Sequence, residues 1–144
     1  MNMKKISKGF YIAGFITNIL AIFGFLLAIC IFSLVKDNDS AIQEFLKNNP
    51  NLNWTFEGLK LAMALAANLS IFLIVVSIAA ALLGFFAIKK AESDDKKDTT
   101  FHIVTLVLGF LTNYLYCVAS LLWLCSQKDE NKTDSKVIDV SSEK

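Results

Sequence analysis

Charged residues divide the chain into three long apolar stretches. None of the three contains Asp, Glu, Lys or Arg, and each has about 27 to 29 residues. A transmembrane helix needs about 20 predominantly apolar residues. The pattern therefore predicts an all-α integral membrane protein, built as a three-transmembrane-helix bundle. The predicted spans are about 10–34, 61–88 and 101–125.

The segments between and after the spans are polar. An outer loop is predicted at 36–60 and an inner loop at 89–98, which completes a membrane domain over 1–127. The remaining residues, 128–144, mix Lys with Asp and Ser and show no core-forming pattern, so this tail is predicted to be disordered.

The third stretch permits a second interpretation. A break near Thr112–Tyr116 would turn it into a helical hairpin and would return the tail to the inner side. The two pieces would each be too short to span a bilayer. A single span over 101–125 is therefore the prediction adopted.

Lysine density sets the predicted orientation. Lysines crowd the short N-terminus (Lys4–Lys8) and the inner loop, whereas those of the outer loop and the tail are spread out. Lysines favour the cytoplasmic side, so we expect the N-terminus in the cytoplasm and the tail outside the cell membrane. Trp54 and Trp123 then fall at the outer interface, where aromatic residues are enriched, with simple packing as the alternative for either.

The first stretch is predicted to be a retained anchor. Its apolar run exceeds the 7–15 residues of a signal-peptide h-region, and no A-x-A-like cleavage site follows it. Cys30 is preceded by the large Ile29, unlike the small residue that a lipoprotein cleavage site requires.

The outer loop carries the signals of a short amphipathic helix. Ser40 and Gln43 have the spacing of a capping box and predict a helix over about 41–47. Pro50 would end it, and Thr55 would cap the next helix. A flexible linker with accidental periodicity is the alternative. The apolar face of the helix would contain Ile42, Phe45 and Leu46.

Two near-identical pentapeptides, GFITN at 14–18 and GFLTN at 109–113, place an Asn inside the first and third stretches. An amide in hydrocarbon requires a hydrogen-bond partner, and small residues beside it let a second helix approach. We predict helix–helix contact faces, within one chain or between copies, although such a match can also arise by chance. The candidate interface residues are Gly14, Thr17, Asn18, Ala21, Gly24, Ala28, Asn68, Gly109, Thr112 and Asn113.

The spans offer little for catalysis. They contain no charged residue, which disfavours proton-coupled transport. The sole histidine, His102, is expected at the inner interface, and it lacks the partners of a metal site or a catalytic triad. We expect no catalytic, metal or cofactor site. Cys30, Cys117 and Cys125 are interpreted as apolar fillers, with a Cys30–Cys125 disulfide as the alternative.

A Lys-led first span, an outer loop with a short helix and the turn Phe86-Ala87-Ile88-Lys89-Lys90 form one overall pattern. It resembles small multi-pass membrane proteins of low-GC Gram-positive bacteria that are catalogued as domains of unknown function. The absence of Arg fits an AT-rich bacterial genome. The resemblance implies a cell-membrane location and transfers no catalytic residues.

These features together predict a non-catalytic accessory or scaffold protein in the lipid bilayer. It is expected to associate with itself or with another membrane protein, and not with nucleic acid. The alternatives are a membrane-permeabilising protein of the holin kind and a bacteriocin-immunity-type protein, because both classes are also small and multi-spanning.

Overall fold

The computed structural model describes residues 3–92 and 98–141, with side chains up to Gln127. Within these residues every regular element is a helix, which confirms the all-α prediction. A single-turn 3₁₀ helix, Pro50–Leu52, separates the second and third α-helices. The α-helices are α1 (Met3–Lys36), α2 (Asp39–Asn48), α3 (Phe56–Lys90), α4 (Asp98–Thr112) and α5 (Tyr114–Ser141).

Two of these helices, α1 and α3, are long and apolar enough to cross a membrane. At 34 and 35 residues they are about 50 Å long, against about 30 Å for the hydrocarbon core. Only 6% of the most apolar stretch of α1 and 28% of that of α3 is buried within the chain. The core helix of a water-soluble protein would be mostly buried, so their exposed apolar surface favours a lipid environment.

The third apolar stretch is not one helix. It is interrupted at Asn113, between the end of α4 and the start of α5, so the single span predicted at 101–125 is wrong and the hairpin alternative is observed. The Asn113 side chain explains the break, because its Oδ1 accepts a hydrogen bond from the backbone N–H of Leu115 at 3.1 Å. Such local side-chain bonds compete with the helical backbone ladder.

The two arms of the hairpin run antiparallel. The Cys117 thiol donates to the backbone oxygen of Leu106 (S···O 3.3 Å), and further from the turn His102 stacks on Trp123 with ring centroids 3.9 Å apart. The second arm thus returns toward the residues where α4 begins. The predicted outside location of the tail depended on one continuous helix over 101–125, which is not observed.

The tail also differs from its prediction. It was expected to be disordered from residue 128, whereas α5 continues as a helix to Ser141; residues 142–144 lie outside the described part of the chain. Extending an existing helix adds one hydrogen bond for each residue fixed and avoids the cost of nucleation. Lys and Glu, which occur here, are also good helix formers.

The outer loop follows its predicted outline with a shifted start. The N-cap of α2 is Asn38, whose side chain accepts from the N–H of Ala41 at 3.1 Å, so the capping box assigned to Ser40 is wrong. α2 ends at Asn48, before Pro50, as predicted. Thr55 caps α3 by accepting from the N–H of Gly58 at 3.0 Å, also as predicted. In the inner loop, residues 93–97 lie outside the described part.

The chain forms two compact units. The first contains the described residues up to Asn18 and from Ala79 onward, and the second contains Ile19–Ile78. In the second unit, Ile42 of α2 is fully buried, and Lys60 pairs with Asp39 at 2.7 Å. The first unit contains the hairpin and the apolar core around it, formed by Tyr11, Ala80, Ala87, Ala91, Tyr116 and Ala119.

Candidate helix-packing site around Tyr116

Tyr116 is the centre of the first unit. Its side chain is fully buried between three glycines, each from a different helix. A Cβ added to Gly14 would lie 2.5 Å from the Tyr116 ring, and one added to Gly109 would lie 2.8 Å from the Tyr116 Cβ. A Cβ on Gly84 would overlap the Tyr116 hydroxyl. These glycines on α1, α3 and α4 therefore leave the space that the tyrosine fills.

Two asparagine amides complete the polar side of this space. Asn18 Nδ2 donates to the Tyr116 hydroxyl at 3.0 Å. Asn113 Nδ2 donates to Asn18 Oδ1 at 3.3 Å and to the Gly14 carbonyl at 3.1 Å. The two asparagines are only 5% and 8% exposed, so each amide exchanges water for a protein partner. We call this group the Tyr116 socket: Tyr116, Gly14, Gly84, Gly109, Asn18 and Asn113.

The socket joins the two pentapeptides within one chain. Gly14 and Asn18 come from GFITN, and Gly109 and Asn113 come from GFLTN. A neutral hydrogen bond contributes about 1 kcal/mol net, but a buried donor left without a partner costs about 1 to 3 kcal/mol. The asparagines therefore stabilise this arrangement chiefly against alternatives that would leave their amides unpaired.

A second buried polar cluster lies further along the hairpin. The Tyr11 hydroxyl is 2.7 Å from His102 Nδ1 and 2.8 Å from the Ser120 hydroxyl. The Ser7 hydroxyl donates to the Ala119 carbonyl at 2.7 Å. We call this group the His102 cluster: Ser7, Tyr11, His102, Ser120 and Trp123, all fully buried.

The His102 cluster corrects two predictions. His102 and Trp123 were both assigned to membrane interfaces, on opposite sides, whereas their rings stack in the core. The cause is the break at Asn113, which folds α5 back along α4. Residues 21 positions apart thereby become neighbours instead of ending a single helix.

Ion pairs lie near the start of α4. Lys90 pairs with Asp98 and also lies over the Phe101 ring, 4.9 Å from its centroid. Lys8 of α1 pairs with Glu92 at 2.9 Å, but the two side chains are 33% and 60% exposed. Exposed pairs contribute between zero and about 1 kcal/mol, so the Lys8–Glu92 contact is secondary to the buried groups.

The other predicted interface residues lie elsewhere. Thr17 and Thr112 are exposed, and their hydroxyls donate to carbonyls of their own helices, those of Ala13 and Leu108, at 2.9 Å. Such bonds satisfy the hydroxyls without a second helix. Four predicted residues belong to the second unit: Ala21, Gly24, Ala28 and Asn68.

These four residues do not form a packed site in the described chain. A Cβ added to Gly24 would meet nothing within 4 Å, and Ala21 and Ala28 are only partly buried. Asn68 is exposed. Of the two candidate interface glycines on α1, Gly14 therefore packs against Tyr116 and Gly24 faces open space.

Sequence reasoning missed Tyr116 and Gly84 as site residues. Tyr116 was considered as one end of a possible break in the third stretch, although it is the side chain that the glycines receive. The available signal was the occurrence of glycine in each of the three apolar stretches. Glycine at three separate contacts suggests one large side chain between them.

The described residues contain no group of three or more His, Cys, Asp or Glu that could hold a metal ion. All three cysteines are free, and Cys30 and Cys125 are exposed, so the disulfide considered for them is not formed. In the socket, polar atoms bond mainly to one another. The arrangement is suited to holding helices together.

No protein-family model, curated protein or solved structure matches the chain. The resemblance to small multi-pass proteins of low-GC Gram-positive bacteria therefore stays a hypothesis from the sequence.

Proposed function

We propose that this protein is a small integral membrane protein that acts as a non-catalytic accessory or scaffold and associates with itself or with another membrane protein. The observation that carries the proposal is the contrast between interior and surface. The buried asparagine amides bond within the chain, while large apolar side chains on α1 and α3 are widely exposed. A protein built in this way presents helix surfaces to lipid and to other helices.

In the proposed topology, α1 and α3 cross the membrane and the α4–α5 hairpin does not. α4 has 15 residues and is about 22 Å long, which is shorter than the hydrocarbon core of about 30 Å. The hairpin would enter from the side of the N-terminus and return to it. With the lysine-rich ends in the cytoplasm, the tail is cytoplasmic and α2 is outside.

Paired backbone N–H groups at the turn of the hairpin support its compatibility with lipid. Non-helical backbone is tolerated at membrane depth only where its polar groups are satisfied. The Asn113 N–H donates to the Gly109 carbonyl at 2.8 Å, and the Tyr116 N–H donates to the Asn113 carbonyl at 2.9 Å. Two large apolar side chains beside the turn are open, Phe110 at 84% and Leu111 at 76% exposed.

Membrane extraction and association together test this proposal. We expect the protein to stay in the pellet when membranes are washed at alkaline pH. We also expect it to be recovered with a differently tagged copy, or with a specific membrane protein, after solubilisation in mild detergent. Release into the alkaline supernatant would contradict the membrane assignment. Recovery as a lone chain, with collapse of the membrane potential on expression, would favour the permeabilising alternative.

A further inference from the structure

One face of α3 is exposed and has the spacing of a helix–helix seam. Its members alternate at intervals of four and three residues, which is the a/d spacing of a left-handed helix pair. The four apolar members are each 59% to 63% exposed, and the polar member is also exposed. We call this surface the Asn68 face: Leu61, Leu65, Asn68, Phe72 and Val75, all within the second unit.

The polar member of this face lacks a partner. The Asn68 amide makes no hydrogen bond to any described residue. It lies eight residues beyond Lys60, about 12 Å along the helix, and therefore inside the hydrocarbon if α3 spans the membrane as proposed above. An amide at that depth is costly unless it is paired, and the short Asn side chain cannot extend to the headgroups.

α3 uses different residues for packing inside its own chain. Ala67, Ser70 and Ser77 are 8% exposed or less, and the Ser70 hydroxyl bonds to the Ala66 carbonyl of the same helix at 2.8 Å. The intrachain packing surface thus consists of small side chains. The Asn68 face is the one that retains an unpaired amide.

We propose that the Asn68 face binds the same face of a second copy of this chain, with the two α3 helices parallel. An amide both donates and accepts, so two Asn68 side chains are complementary to each other. Copies inserted in the same orientation place the two amides at the same depth on a two-fold axis, the commonest arrangement in homo-oligomers. A single Asn among apolar seam residues also fixes the register of a helix pair.

Cysteine crosslinking in native membranes tests this seam. In a background with Cys30, Cys117 and Cys125 replaced by Ala, single cysteines are placed on the face at Leu65→Cys and Phe72→Cys. The matched control is Leu69→Cys, because Leu69 is 58% exposed against 59% for Leu65 but lies beside the seam, about 80° around the helix from its centre. We expect mild oxidation to form dimers several-fold faster at the two seam positions than at the control.

The amide is tested in the same background. Adding Asn68→Leu is expected to slow dimer formation roughly three- to twentyfold, the range expected for loss of one interhelical hydrogen bond in a membrane. Asn68→Gln keeps an amide and should therefore form dimers at a rate closer to that of the background with Asn68 than to that of Asn68→Leu. A rate unchanged by Asn68→Leu would contradict the role assigned to the amide.

The comparison of crosslinking rates at the three cysteine positions decides whether the Asn68 face binds a second copy of the chain. Equal rates at all three cysteine positions would indicate random collisions and would overturn the proposal. So would a crosslink at the seam positions to a different protein, or none at all. Alkaline extraction of the same samples separates these failures from failure of the proposed function: a protein that remains in the membrane without the dimer retains the topology and loses only the seam.

Discussion

The chain uses asparagine in apolar helices in two different ways. In the Tyr116 socket, Asn18 and Asn113 bond to each other and are buried. On α3, Asn68 is exposed and unpaired within the described residues. The difference lies in the neighbouring residues: glycines beside the first two let a tyrosine and a second helix approach, whereas Leu and Phe flank Asn68. An asparagine within an apolar helix therefore does not by itself reveal whether its partner is in the same chain.

Two glycines of the helices that carry these asparagines show the same difference. Gly84 contacts the Tyr116 hydroxyl, whereas a side chain added to Gly24 would meet open space. Small residues permit close helix packing. A glycine is required, however, only where a large side chain of another helix packs against it. A prediction based only on rows of small residues therefore names more helix–helix contacts than the structure forms.

Removing the tyrosine should give the largest effect in the socket. Tyr116→Ala deletes a fully buried ring and leaves a cavity, which costs about 3 to 5 kcal/mol for large aromatic residues. Tyr114→Ala is the matched control, because Tyr114 is 74% exposed. The free energy of unfolding is measured by denaturing titration in detergent, with Trp123 fluorescence as the probe in a Trp54→Phe background. Equal losses in both variants would show that the socket does not hold the hairpin.

The paired glycines give the next effect. Gly84→Ala forces a methyl group into the Tyr116 side chain and should cost about 1 to 3 kcal/mol through overpacking. Gly24→Ala meets no neighbour and should be neutral or stabilising by up to about 1 kcal/mol, because Ala favours a helix more than Gly does. Thermal denaturation of both variants beside wild type measures the difference. Tolerance of Gly84→Ala would contradict the close packing of α3 against Tyr116.

The asparagines sharpen the comparison further. Asn18→Leu removes partners from Tyr116 and Asn113 and should destabilise the solubilised monomer by about 0.6 to 1.7 kcal/mol, the range for hydrogen bonds between membrane helices. Asn68→Leu should leave monomer stability unchanged, since Asn68 bonds to nothing described in its own chain. The same denaturing titration, at a concentration where the protein is monomeric, distinguishes them. A larger loss of stability from Asn68→Leu than from Asn18→Leu would contradict the assignment of Asn18, and not Asn68, to contacts within the chain.

The exposed ion pair should give the smallest effect. Lys8→Ala and Glu92→Ala each remove one end of a contact between partly exposed side chains, and a double-mutant cycle should return a coupling below about 1 kcal/mol. The coupling should weaken further at high salt. A coupling that is large and insensitive to salt would show that this end of the hairpin is more strongly held than its exposure implies.

Hydrophobic patterning predicted the all-α class and the two long helices, because uncharged apolar runs of this length are typical of long helices. It also led to the asparagine pair, since a buried amide requires a partner. It missed the hairpin because 101–125 is as apolar as a true span, and length was used to reject the break. What ends α4 is one hydrogen bond made by Asn113 to the chain two residues on, and hydropathy does not detect it.

The position of Tyr116 illustrates a second limit. Whether a tyrosine in an apolar run faces lipid or a core depends on which helices meet it, and those contacts join residues about 100 positions apart. His102 and Trp123 are similar, because their stacking follows from the hairpin and not from any local pattern. The contacts of the socket were therefore predictable only as far as the paired asparagines.

The side of the membrane on which the tail lies tests the central claim most directly. Single cysteines at Lys5→Cys, Glu44→Cys and Lys136→Cys in the cysteine-free background are labelled with an impermeant maleimide, in intact cells and after permeabilisation. A hairpin that enters and returns predicts that Lys5→Cys and Lys136→Cys are both labelled only after permeabilisation, while Glu44→Cys in α2 is labelled in intact cells. Labelling of Lys136→Cys in intact cells, with Lys5→Cys still protected, would mean that the third stretch crosses the membrane and would contradict the hairpin.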